Sequence, residues 1–138
     1  MAVRVRVRLR RGSRSVEVVV LVNSGAESDE PVVVVGPEVA EALGFSTEDF
    51  DLIEVELASG KTHDLISREK VVLELLGEEG AALSRTLAYL AVDDALTEPL
   101  ITDAAIDELG IQVIRFKEGL WRHASDPPHL VRRSEPRP

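Results

Sequence analysis

Residues 3 to 9 alternate without a break. Val3, Val5, Val7 and Leu9 are apolar, and Arg4, Arg6 and Arg8 lie between them. A period of two is that of a strand with one buried and one solvated face. The turn-forming stretch RRGSRS follows, with Gly12 suited to a positive φ. Residues 16 to 22, VEVVVLV, predict a second strand, apolar on both faces beyond Glu17. The two form a hairpin that delivers Asn23 to the end of a core strand.

The pattern then shortens. PVVVVG (31 to 36) predicts a short buried strand, and GPEVAEALGF a short helix with Pro37 at its first position and Gly44 just past its end. Ile53, Val55 and Leu57 alternate with Glu54 and Glu56 before a turn at residues 58 to 61, which predicts a second hairpin. KVVLELLG and RTLAYLAV read as two strands around a turn at residues 77 to 80. TDAAIDELG predicts a second helix, with Thr102 as candidate N-cap and Gly110 closing it. IQVIRF reads as a strand and GLWRH as a further one. From Asp126 the chain becomes rich in Pro and Arg and reads as a tail or interface arm of a domain spanning residues 1 to 125. Many short strands at near-regular spacing, with two short helices, predict a mostly β, closed or sandwich-like unit.

Composition narrows the function classes. One domain fits 138 residues, and a 44% hydrophobic content can fill its core. Without cysteine there is no thiolate nucleophile and no Cys-based metal site. A net charge of −9 opposes nucleic-acid binding. The N-terminus lacks the apolar core of a signal peptide, and no apolar run approaches the length of a membrane span, so a soluble, cytoplasmic protein with no membrane partner is expected. The chain contains one Asn and one Gln, a depletion of labile amides that fits a thermophile or a GC-rich genome. That single asparagine is Asn23.

Most local motifs have plain readings. Gly60-Lys61-Thr62 mimics the end of a phosphate loop, but Val55 stands where the first glycine belongs and no helix follows. The Arg stripe of residues 4 to 8 reads as a solvated strand face, paired across the sheet with Glu54 and Glu56. His63, His123 and His129 have no metal-ligand spacing, so neither a metal nor another cofactor is expected. Asp93-Asp94 reads as turn chemistry, and Trp121 as a core or interface anchor.

The exception is the segment Leu21-Val22-Asn23-Ser24-Gly25-Ala26, taken with VAEALGF, LASGKTH and PLITDAAIDELGIQVI in that order. Over residues 3 to 116 the chain resembles the retropepsin-like aspartic peptidases, half-size, single-motif relatives of the retroviral proteases. The resemblance implies a closed, β-barrel-like acid-protease subunit. It implies catalysis at position 23 beside Ser24 and Gly25. Substrate would be held by Ala26, Glu27 and a flap hairpin containing Ala58, Ser59, Gly60 and Lys61. With one motif per chain, it also implies a C2 homodimer with the two positions 23 at the axis, acting on an extended peptide or unfolded protein. Two departures stand out. Thr102 occupies a place usually held by Gly, and Asn23 occupies that of the catalytic Asp. A carboxamide cannot share a proton with, or act as base beside, its partner. Three accounts of Asn23 follow: an introduced Asp→Asn change that silences a peptidase, a natural pseudopeptidase that binds without cutting, or a β-protein of another kind.

Overall fold

The strict alternation at the N-terminus becomes β1 (Arg4–Arg11), paired antiparallel with β2 (Arg14–Val22) through a turn in which Gly12 has φ 60°. The computed structural model describes residues 2–57 and 60–138, apart from the side chains of Glu56 and Leu57. β3 (Val32–Val35), α1 (Pro37–Ala42), a 3-10 turn (Thr47–Asp49) and β4 (Phe50–Leu57) follow. Then come β5 (Gly60–Leu76), β6 (Ala82–Val92), β7 (Leu100–Ile101) and α2 (Asp103–Leu109). β8 (Ile111–Arg115), β9 (Leu120–His123) and β10 (Arg132–Arg133) complete the chain. The fold is mostly β with two short helices, as the periodicity predicts.

Seven strands run in the order β1-β2-β7-β3-β6-β5-β4, and β1 also pairs with β5. The pairings therefore return to the first strand, and β4 lies outside them on β5. The two-residue β7 is inserted between β2, to which it is parallel, and β3, to which it is antiparallel. Val3, Val5, Val7 and Leu9 point into one core and are at most 1% exposed. Val20, Val33, Leu73, Leu90, Ile101 and Leu109 join them there.

Three local readings change. The stretches read as separate strands on either side of Ser67 form one strand, β5, interrupted by a bulge. Three residues of β5, Ser67 to Glu69, stand opposite Leu90 alone. The Ser67 hydroxyl accepts the Leu90 amide at 2.9 Å and donates to the Glu69 carbonyl at 2.7 Å, so backbone groups displaced by the bulge keep partners. The Arg stripe also finds other partners than Glu54, which instead pairs with Lys61 at 3.1 Å, while the side chain of Glu56 lies outside those described. Arg10 and Arg8 reach the buried Glu74 at 2.7 and 3.5 Å, because β1 lies beside β5 and not β4. Arg4 reaches Glu98 at 3.1 Å, and Arg6 reaches Glu135 at 3.3 Å. The third is at Thr102, whose hydroxyl makes no capping hydrogen bond to α2.

The segment from residue 126 is laid along the same chain. β10 pairs with β9, the Ser134 hydroxyl accepts the Arg4 amide at 2.8 Å, and the Glu135 amide donates to the Arg4 carbonyl at 2.9 Å. Trp121, on β9, is buried in the core at 4% exposure, and its indole N–H donates to the Arg133 carbonyl.

Candidate functional site

β2 is the strand that brings position 23 to its place. Its last two residues, Leu21 and Val22, pair with Leu100 and Ile101 of β7. The next amide, that of Asn23, still reaches the Ile101 carbonyl at 3.4 Å. The chain then turns. The Ala26 amide donates to the Asn23 carbonyl at 3.1 Å, and the Gly25 amide donates to the Asn23 side-chain oxygen at 3.1 Å. An N–H faces that side-chain atom, which assigns it as Oδ1 and leaves Nδ2 on the other side of the amide. This is an Asx turn, a conformation that Asn and Asp share because both offer an oxygen at the same place. A β-carbon on Gly25 would lie 3.3 Å from Asn23 Oδ1, so the close turn favours glycine there.

The loop is gripped on its far side by the start of α2. The Asp103 amide donates to the Ala26 carbonyl at 2.9 Å, and Asp103 Oδ1 accepts the Ser28 amide at 2.9 Å. Thr102 stands at the N-cap of α2 with extended backbone, yet its hydroxyl makes no capping hydrogen bond. It lies 2.6 Å from the Ser28 hydroxyl and accepts the Val32 amide at 3.2 Å. Ser28 in turn donates to the Glu30 carbonyl at 2.7 Å. The expected cap at Thr102 is thus replaced by a tie between the loop and β3. Asp103 supplies the side-chain bond to the first turn, from the Ala104 amide at 2.7 Å. Ser28, Thr102 and Asp103 were not legible as site residues, since their partners lie some 70 positions away in the chain.

The structure brings Asn23, Ser24, Gly25, Ala26 and Glu27 together on this one loop, with Ser24, Gly25 and Glu27 exposed. Of the flap candidates, Ala58 and Ser59 lie outside the described residues. Gly60 and Lys61 begin β5 in the hairpin with β4, and Gly60 has φ 128°, a backbone shape that favours glycine. Among the described residues no hydrogen bond or ion pair joins this hairpin end to the Asn23 loop. Lys61 is instead engaged with Glu54, both more than half exposed.

A cavity lies elsewhere. It has a volume of about 470 Å³ and is set between α1, the base of the β4–β5 hairpin and the end of β6. Asn23 does not line it. Comparison with family models and with curated proteins gives no match to this chain. No helix among the described residues is long and apolar enough to cross a membrane.

Proposed function

We propose that the chain is a retropepsin-like aspartic endopeptidase subunit that assembles as a C2 homodimer and binds extended peptide. With Asn23 in the catalytic position it binds without cutting. The observation that carries this reading is the seat of Asn23. It ends a core strand beside the inserted pair Leu100-Ile101, and its Oδ1 takes the Gly25 amide in a turn that an aspartate would make with the same atom. An aspartate placed there would keep one oxygen in the turn and present the other to solvent or to a partner subunit.

Paired across a two-fold axis, two such carboxylates could not both ionise at short range. One would hold a proton and the other would draw a proton from water as it attacks the scissile carbonyl. The neutral amide of Asn23 offers neither role. Exposed Gly25 and Glu27 would meet the main chain of a peptide lying in extended form, a recognition mode built on backbone hydrogen bonds. The return of the strand pairings from β5 to β1 supports a closed, barrel-like subunit. The outer edge of β8 supports self-association: among the described residues it pairs only with β9, and it carries the exposed Ile114, with exposed Phe116 just beyond. A lone asparagine in a chain with nine Asp supports an origin of Asn23 as a replaced aspartate.

The test is Asn23→Asp. The variant is expected to hydrolyse members of a diverse peptide library between about pH 3 and 7, with an acid-favoured optimum and inhibition by a statine-type transition-state mimic. The unmodified chain is expected to bind such peptides without cutting, with mass spectrometry excluding deamidation at position 23. A variant that is dimeric and binds peptide yet cuts nothing would refute the peptidase assignment.

A further inference from the structure

The cavity of about 470 Å³ is built from three stretches of chain, residues 37 to 50, 63 to 65 and 92 to 94, and has two kinds of wall. Its apolar side is formed by Phe45, Phe50 and Leu65, with the two rings 5.2 Å apart and tilted at 40°. Its polar side carries Glu41 from α1 and Asp93 and Asp94 from the end of β6. No lysine or arginine is among its described lining residues. Glu41, Asp93 and Asp94 enter no ion pair among the described residues. Arg11, whose guanidinium lies 3.9 Å from the Phe45 centroid, borders the neighbouring cavity with Asp49. Asp93 uses Oδ1 to accept the Ala95 amide at 2.9 Å, which leaves its second oxygen uncommitted in that turn. The local field is negative enough to act on a neighbour. Asp64 has its pKa raised, first by burial and then by the charges of Asp93 and Asp94.

A cavity of this size, mostly apolar with a few converging polar groups, is the usual form of a small-ligand site. Its charge selects the ligand. An anion would be repelled, and a neutral apolar group would leave three carboxylates facing it. A cation on an apolar stem satisfies both walls: the stem packs on Phe45, Phe50 and Leu65, and the head meets the acid rim with an aromatic face beside it. We propose that this cavity is a binding site for an alkyl cation of the kind that ends an arginine or lysine side chain. Resting on the peptide-binding reading above, its occupant is a basic side chain of the bound peptide. The site lies against the base of the β4–β5 hairpin, through His63 and Leu65, so filling it would brace that hairpin on α1.

The direct probe is butylguanidinium, compared with neutral butylurea of the same shape, in an NMR titration of the full chain. Butylguanidinium is expected to shift Phe45, Phe50 and Leu65 resonances and to saturate in the millimolar range, as befits so small a ligand, while butylurea leaves them in place. The Asp93→Asn/Asp94→Asn double variant is expected to bind about tenfold more weakly or worse, from loss of two charges. Asn at position 93 keeps the oxygen that holds the Ala95 amide, and Glu41→Gln on the exposed face of α1 is a second variant that leaves the turn untouched. No shift, equal shifts from butylurea, or full affinity in both variants would overturn the site. A separate arm moves a single arginine along an extended apolar peptide, with norleucine as control. A preference for arginine at one position, lost in the double variant, ties the cavity to peptide recognition. Peptides that bind with no such preference would overturn that tie. Failure of every peptide alongside a positive butylguanidinium titration would overturn the peptide reading and leave the cation site standing.

Discussion

Replacing Thr102 with Val tests the grip on the Asn23 loop, because the two side chains have nearly the same shape and differ by one hydroxyl. Thr102 is 5% exposed. Its oxygen accepts the Val32 amide at 3.2 Å and lies 2.6 Å from the Ser28 hydroxyl. The Ser28 hydroxyl donates to that oxygen, and the Thr102 hydroxyl donates to the Val32 carbonyl at 3.4 Å. Valine removes these interactions and leaves the Val32 amide without that acceptor. Leaving a buried donor unpaired costs about 1–3 kcal/mol, and a lost neutral hydrogen bond about 1 kcal/mol. A net loss of about 2 kcal/mol follows, or roughly 6–10 °C in Tm for a domain of this size. Thr102→Ser keeps the hydroxyl and loses a methyl group, which costs about 1 kcal/mol or less. Thermal unfolding followed by circular dichroism, at one fixed protein concentration because association shifts Tm, distinguishes the two. The expected order is unmodified, then Thr102→Ser, then Thr102→Val. A valine variant as stable as the unmodified chain, or more stable than the serine variant, would show that the hydroxyl is not the tie.

Three further outcomes follow from the same structure. Asp64 has a raised pKa in the folded state, so its contribution to stability is complete below the ordinary value of 3.8 and is lost as pH rises through the folded value. Asp64→Asn is therefore expected to raise Tm at pH 7 and to leave it unchanged near pH 3. Asp126 behaves oppositely. The Arg132 hydrogen bond at 2.7 Å and the His123 amide hold its pKa down to about 2 against burial, so its contribution is present above 3.8 and lost as pH falls through about 2. Asp126→Asn is expected to cost about 2 kcal/mol at pH 7 and to converge with the unmodified chain at the acid end of a pH-dependent unfolding series. At Gly110, φ is 73° and an added β-carbon would lie 3.2 Å from His123 Nε2, so Gly110→Ala is expected to destabilise by about 1–2 kcal/mol in urea unfolding.

What could be read from the sequence was local. The alternation of Val3 to Leu9, the hairpin to Asn23 and the glycine that ends α2 all depend on neighbours within a few residues, and all are present in the structure. Glu74 was hidden as the partner of the Arg stripe because it comes to β1 only through a strand pairing made more than 60 residues later. The continuity of β5 depends on one serine hydroxyl standing in for a backbone acceptor, which no periodicity signals. Thr102 was legible as a residue suited to a helix start. Its actual role came from being set opposite Ser28 and Val32 by the insertion of β7 between β2 and β3. The acid-rimmed cavity was invisible for the same reason, since residues 37 to 50 close it only with Leu65 and with Asp93 and Asp94, which strand pairing brings from far along the chain.

The central claim is that catalysis needs an aspartate at position 23 of both subunits of a dimer, and mixing tests it most directly. Asn23→Asp protein and unmodified chain are combined at varying ratio and constant total concentration, allowed to exchange subunits, and assayed for peptide hydrolysis at the acid optimum. If each active site takes one carboxylate from each subunit, mixed dimers are silent and activity follows the square of the Asn23→Asp fraction. An equal mixture then shows about one quarter of the activity of the pure variant. Activity that falls only in proportion to that fraction, to about one half, would contradict the shared site, and a pure variant with no activity would contradict the claim altogether.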